Sequence, residues 1–434
     1  MFSSFAQYAL FALAVNLQYV KAVMVESVDG SFVPLSFVAR APGEGLAVRM
    51  KNNKDLAYLA TVLMGTPAQQ IQMAVSLSQN HISVASPPGG VTDQSYYNPA
   101  ASTSYIPGNA AANITTISGG TTTGRFAGET CTIQSATSAL SFTYNASVVL
   151  TDPSVSNDVF PPGARAILGY GVNAPPGSPP GTSLIPSFLP ANFTNAVCGI
   201  EMNHFDDPFP DGILTMGAVD SAAFTGDFTN VMVPSSSVIS WSIPVDTITY
   251  LANGTSQGVA GSLASIDMYH TGIQVTNDVA RQIYSGTPGA QAISETTWSI
   301  PCSSTFPITL TFAGKPFTIN ERDTIIQQPS GMCTGVVTGG ATQIGKVGAP
   351  FMRNFYRQFA AAKDASGSVE FSVGFAEKKQ AQTPATSVTA SPQTTIKPNP
   401  SATSTSTPSG GAQTIQSLPT LVLIVVPIAV MIFL

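Results

Sequence analysis

Across residues 23–379 the chain is built from short runs in which apolar and polar positions alternate or β-branched residues gather. Tyr58–Met64, Ile71–Val75, Ser141–Leu150, Trp241–Thr249 and Phe306–Phe312 are examples, and clusters of Gly, Pro, Asn and Ser separate them. A two-residue period puts successive side chains on opposite faces of a strand, so this spacing predicts an all-β architecture. One stretch reads differently. Pro350 opens it, Phe351, Phe355 and Phe359 recur at every fourth position, and Gly367 lies beyond its end. Those marks predict a helix over residues 350–363.

Longer apolar runs occur only at the two ends. Phe5–Val15, followed by Val20-Lys21-Ala22, reads as a secretory signal over residues 1–22. An apolar run this short does not span a bilayer easily, which weighs against an N-terminal anchor. The second run, Leu418–Leu434, has no Lys or Arg after it. The small residues Ser409-Gly410-Gly411 and the polar spacer Ala412–Ser417 precede it. This is the pattern of a signal for a glycosylphosphatidylinositol anchor, with Ser409 as the attachment residue and residues 410–434 exchanged for lipid. A retained tail helix containing Pro419 and Pro427 is the alternative. Either reading places the bulk of the protein on the outer face of the cell, at the plasma membrane or wall. Residues 380–409 form a Ser/Thr/Pro stretch whose only charge is Lys397, which predicts an extended, O-glycosylated stalk.

Composition narrows the function classes. Charged residues make up 9% of the 434 positions, against about 25% in an ordinary soluble domain. The net charge of −6 and the lack of a basic stretch argue against a nucleic-acid partner. The mean hydropathy of +0.21 is accounted for by the two apolar ends and a charge-poor middle. Cys131, Cys198, Cys302 and Cys333 permit two disulfides in three connectivities, and none has metal-ligand spacing. With three scattered histidines as well, neither a metal nor a cofactor is expected. Asn113, Asn145, Asn192 and Asn253 each begin an Asn-x-Ser/Thr sequon, which predicts N-glycans on exposed loops.

The chain also carries a weak internal echo. Gln70–Val75 runs into Ser76-Leu77-Ser78, and Gly258–Ile266 runs into Asp267-Met268-Tyr269. Each is followed by an apolar-Gly element, Ile167-Leu168-Gly169 and Val347-Gly348. Two similar halves would bring matching loops together across a cleft.

On these segments the sequence resembles the pepsin-like aspartic proteases. Tyr58-Leu-Ala-Thr-Val-Leu-Met-Gly-Thr-Pro-Ala-Gln69 is similar to the strand leading to that family's first catalytic loop. Ile167-Leu-Gly-Tyr-Gly171, Gly212-Ile-Leu-Thr-Met-Gly-Ala-Val-Asp220 with Phe224-Thr-Gly226, Trp241-Ser-Ile-Pro-Val-Asp-Thr-Ile248 and Val347-Gly-Ala-Pro-Phe-Met-Arg-Asn-Phe-Tyr356 follow in the family's order. The resemblance implies a bilobal fold with a central cleft, with lobes over residues 23–210 and 211–379. It implies a Cys302–Cys333 disulfide; Cys131 and Cys198 have no match, and a bond between them is the expectation for the remaining pair. The lipid anchor and stalk resemble the fungal yapsin-like members.

The family's reaction needs two carboxylates that share one proton, each in an Asp-Thr-Gly loop. Here the loops read Ser76-Leu77-Ser78 and Asp267-Met268-Tyr269, so five of the six motif positions have changed. Ser76 replaces the first aspartate, and a serine hydroxyl is no base at acidic or neutral pH. Asp267 alone keeps its identity. The family's flap tyrosine is missing, since the chain reads Ile117-Ser118-Gly119-Gly120 there. A nucleophilic Ser76–His270–Asp267 triad is the sharper alternative and the blander one is favoured: His270 bonds Asp267 or faces solvent, and Ser76 fills a vacated place. His81 and His204 are expected at surface or loop positions, Asp206-Asp207 in a solvated turn, and Trp241 and Trp298 in packing roles. The expected protein is a monomeric, surface-anchored pseudoprotease whose cleft keeps an extended peptide or protein as partner. An active lipid-anchored aspartic endopeptidase and a glycosylated spacer are the competing readings.

Overall fold

The computed structural model describes residues 23–26, 32–35 and 45–379, except 88–94, 116–120, 137–140, 152–158, 173–196, 235–239, 253–254, 364–368 and residues 162, 305, 329 and 343. The chain divides into two compact units, Met1–Pro384 and Ala385–Leu434, and the described residues fall in the first. The secretory signal, the stalk, the tail with Ser409, the sequons at Asn192 and Asn253 and the Ile117–Gly120 segment lie outside the described residues.

The alternating runs form strands. Tyr58–Met64 is one, Ile71–Val75 lies inside Gln69–Ser76, and Ser141–Leu150 lies inside Ser141–Thr151. Their inward positions, such as Ala60, Val62, Met64, Ile71 and Met73, are fully buried. Two expected strands are each bent in the middle. Trp241–Thr249 resolves into Ser242–Pro244 and Thr247–Ala252. The chain over Gly258–Ile266 resolves into Thr255–Ala260 and Leu263–Ile266. The two bends coincide. Val245 N bonds Ser262 O at 2.9 Å and Gly261 N bonds Asp246 O at 2.7 Å, so the paired chains pass together from one sheet to another. A Cβ on Gly261 would lie 1.5 Å from Val245 O, so only glycine fits this corner.

The helix predicted over residues 350–363 is a correction. Only Ala349–Met352 is helical, and Phe355–Lys363 is a strand. It pairs on one side with Val369–Lys378 and on the other with Val197–Glu201. A spacing of four residues returns a side chain to the same face of a strand as well as of a helix. Two ready neighbours decide for the strand.

A 13-stranded sheet runs from Phe224–Met232 through Val369–Lys378, Phe355–Lys363, Val197–Glu201, Gly212–Met216 and Leu46–Asn52. It continues through Tyr58–Met64, Gln69–Ser76, Ala166–Gly169, Ile82–Val84, Ser141–Thr151 and Thr121–Gln134 to Ala111–Thr115. Thr121–Gln134 also pairs back onto Tyr58–Met64, which curls that end towards a barrel. Residues 242–347 contribute a 5-stranded and two 4-stranded sheets. The result is the expected all-β, bilobal architecture. Trp241 has no exposed surface and donates from Nε1 to Tyr170 O at 2.8 Å. Trp298 is likewise buried and stacks on Tyr284.

The echo in the sequence becomes a repeated topology. Gln69–Ser76 runs parallel to Ala166–Gly169, which pairs antiparallel with Ile82–Val84. Leu263–Ile266 runs parallel to Lys346–Val347, which pairs antiparallel with Ile273–Gln274. Each unit holds one motif loop at the end of its first strand.

Cys302 and Cys333 form a disulfide with Cα atoms 5.2 Å apart. The expected Cys131–Cys198 bond is absent: both are buried thiols without a disulfide. Cys131 faces Met64 and Tyr144 in the barrel-like part. Cys198 lies on Val197–Glu201, between Met216 and Phe359. Their strands are separated in the sheet, so no short bridge is available.

Candidate active site

Ser76 ends its strand opposite Gly169, and Ile266, just before Asp267, lies opposite Val347. The backbone ties of the two loops correspond. Gly171 N donates to Gln79 O at 2.7 Å, and Ala349 N donates to His270 O at 2.8 Å. Gln79 stands three positions after Ser76, and His270 three after Asp267. Ser76 and Asp267 are therefore equivalent places in the two units. The glycines of the apolar-Gly elements are required by this approach of chains. A Cβ on Gly169 would lie 2.4 Å from His81 O, and one on Gly348 2.1 Å from His270 O.

Ser76 is wholly buried. Its Oγ lies 3.2 Å from Ser78 Oγ and accepts from the amides of Ser78 and Gln79, each at 3.3 Å. These are contacts within its own loop. Asp267 is 1% exposed and accepts at Oδ1 from Tyr269 N at 3.0 Å. Burial raises its carboxyl above the usual carboxylate range. The Lys346 ammonium, the Tyr269 amide and the Ser78 side chain pull it back only in part. Ser78 thus faces Asp267 from the opposite loop, and the loops do meet. Leu77 and Met268, the middle residues of the two loops, are both buried in the largest apolar cluster.

No Ser–His–Asp relay forms. His270 N bonds Asp267 O at 3.1 Å through the main chain, but the buried imidazole Nε2 has no partner. His81 lies in the loop before Ile82–Val84, partly buried; its Nε2 is buried without a partner and its ring meets Phe126 edge-on at 6.2 Å. Burial lowers both histidines to about 4, with Lys346 adding to the effect at His270.

His204, expected at a surface or loop position, lies in a loop but is turned inward. It is 9% exposed and its Nε2 lies 2.8 Å from Asp323 Oδ2. Asp323 also accepts from Arg353 Nε at 2.9 Å and Asn354 Nδ2 at 2.8 Å. Arg322 contacts His204 Nδ1 and bonds Asp207 at 2.8 Å. Asp206 remains 79% exposed as a turn residue, whereas Asp207 belongs to this network. The network was invisible in the sequence because its 204–207 and 322–323 parts are over a hundred residues apart. It holds the 203–207 turn to the segments around 323 and 353 and has no nucleophile.

Asn113 and Asn145 are exposed, on strands rather than loops. Among the described residues no cluster of His, Cys, Asp or Glu fits a metal ion, and no helix is long and apolar enough to cross a membrane. An open groove of about 510 Å³ lies among Glu321, Asn354, Phe355 and Glu377, and neither Ser76 nor Asp267 lines it.

Comparison with known proteins agrees with this geometry. The description "Eukaryotic aspartyl protease" matches residues 57–371. Major aspartyl peptidase 1 of Cryptococcus neoformans is 24% identical over 352 residues, covering 73% of this chain and 69% of that protein. Probable aspartic-type endopeptidase CTSD of Arthroderma otae is 27% identical over 194 residues, covering 43% of this chain and 48% of that protein.

Proposed function

The chain belongs to the eukaryotic aspartyl protease family, and from that membership we propose that it is a catalytically inactive member, held at the cell surface by a lipid anchor and acting by binding. One observation carries the reading: Ser76 occupies the place equivalent to Asp267. The family's reaction uses one carboxylate as base towards water and the other as acid towards the scissile carbonyl. With one carboxylate, the pair has no shared proton, and the Ser76 hydroxyl is already committed to its own loop. The remaining carboxylate is buried beneath Tyr269 N. The proposed partner is a protein segment lying along the cleft without reaching Asp267.

The test is an assay of the full chain on a denatured protein from pH 3 to 7, with and without a pepstatin-type inhibitor. We expect no turnover above background. Inhibitor-sensitive hydrolysis that disappears in Asp267→Asn would establish the competing reading, an active surface endopeptidase. The anchor is tested separately: a phosphatidylinositol-specific phospholipase should release the protein from membranes, and release by detergent alone would indicate a retained tail helix.

A further inference from the structure

We propose that the first half of the molecule contains a socket for a phenol and that Tyr269, arriving from the second half, is its built-in occupant. The Tyr269 hydroxyl donates to Val159 O at 2.9 Å. Its ring packs against two small apolar clusters at once. One consists of Ala57, Leu59, Ala74 and Ala164, and the other includes Val159, Phe160 and Ile167. All of these residues precede Tyr170, whereas Tyr269 follows Asp267, so the contact joins parts of the chain that are remote in sequence.

The socket has the chemistry of its ligand. Alanines at 74, on the strand Gln69–Ser76, and at 57 and 164, just ahead of the strands Tyr58–Met64 and Ala166–Gly169, leave space that a large flat side chain fills. Apolar walls with a single carbonyl at one end match a ring with a single hydroxyl. The other end of the residue is also held, since Tyr269 N donates to Asp267 Oδ1 at 3.0 Å. The ring therefore ties the loop bearing Asp267 to the wall formed by Val159 and Phe160. The two halves cannot part there without unseating it, and a peptide cannot occupy the same volume. The family motif has glycine at this position, so the key is a property of this chain's own sequence. The inference does not depend on the absence of hydrolysis.

The test is thermal unfolding of the full-length Tyr269→Ala variant with p-cresol or toluene. The variant should lose roughly 5 °C in Tm. p-Cresol should restore much of that loss saturably, because an apolar cavity of this kind binds a fitting aromatic. Toluene, which cannot donate to Val159 O, should restore less, and wild type should respond to neither. Stabilisation of wild type and variant to the same extent would overturn the proposal. If Tyr269→Ala does not fold, Tyr269→Phe decides. A lower Tm than wild type supports the socket's polar end, and an unchanged or higher Tm overturns it.

Discussion

Single side chains set the electrostatics of the two motif loops. His81 and His270 are held neutral by burial, with values near 4 in the folded protein against about 6.5 in the unfolded chain. Above pH 6.5 neither state binds the extra protons. As the pH falls from 6.5 towards 4 the unfolded chain takes them up first, so stability falls across that window and levels off below it. Each histidine should contribute no more than about 3 kcal/mol to the loss. A Tm profile from pH 7 to 4 should slope downward on acidification, and His270→Gln should flatten it; an unchanged slope would refute the assignment. Asp323 behaves oppositely to Asp267. Bonds to His204 and Arg353 hold its carboxyl below the usual range despite burial, so its contribution is lost as the pH falls below about 4. Asp323→Ala should cost about 3–5 kcal/mol in a urea melt, because Arg353 would be left buried without its counter-ion.

At the scale of elements, Phe355–Lys363 is the instructive case. Phe351, Phe355 and Phe359 satisfy a helical and an extended period equally, and Pro350 is as compatible with the short Ala349–Met352 turn as with a long helix. Arg357 shows which period governs: it lies on the same strand face as Phe355 and Phe359 and is completely buried. Gln358→Pro should therefore be severely destabilising, since a proline removes a ladder donor from a strand paired on both sides. Circular dichroism and thermal unfolding would detect the loss. The cysteines are elementary tests of the same topology. Thiol titration should find Cys131 and Cys198 unreactive in the native protein and two thiols after unfolding without reductant. Reducing Cys302–Cys333, which closes a separation of 31 residues, should cost about 3–4 kcal/mol in the chain-entropy view.

For the whole molecule, the proposed function turns on the two motif loops meeting, Ser78 against Asp267. On the proposed reading, restoring one group should not restore the site. Ser76→Asp returns a second carboxylate, yet Leu77, Met268 and Tyr269 keep the apolar contact and the cross-chain ring in place. The substituted chain should remain without measurable hydrolysis at pH 3–5, and it should be less stable than wild type, because a second buried acid is added next to Asp267 without a partner. Robust turnover by Ser76→Asp alone would mean that the surrounding changes are tolerated by the chemistry. The scarcity of charge also acquires a location. Asp207, Asp323, Arg322 and Arg353 gather with His204 in one network, and Arg49 pairs with Asp211 nearby.

What the sequence determined by itself was local or ordered along the chain. Alternation made the strands, the order of Tyr58–Gln69, Ile167–Gly171, Gly212–Asp220 and Val347–Tyr356 carried the fold, and the internal echo set Ser76 and Asp267 at matching places. Tertiary structure alone decided the strand at Phe355–Lys363, the two unbonded cysteines, the burial of His81 and His204, and the seat of Tyr269. Each of those depends on a neighbour far away in the chain: a strand with two partners, a thiol with none in reach, an imidazole beside Asp323, a ring under Val159. Periodicity and motif report what a residue is and which way it can face. They carry no information about which distant backbone arrives to meet it.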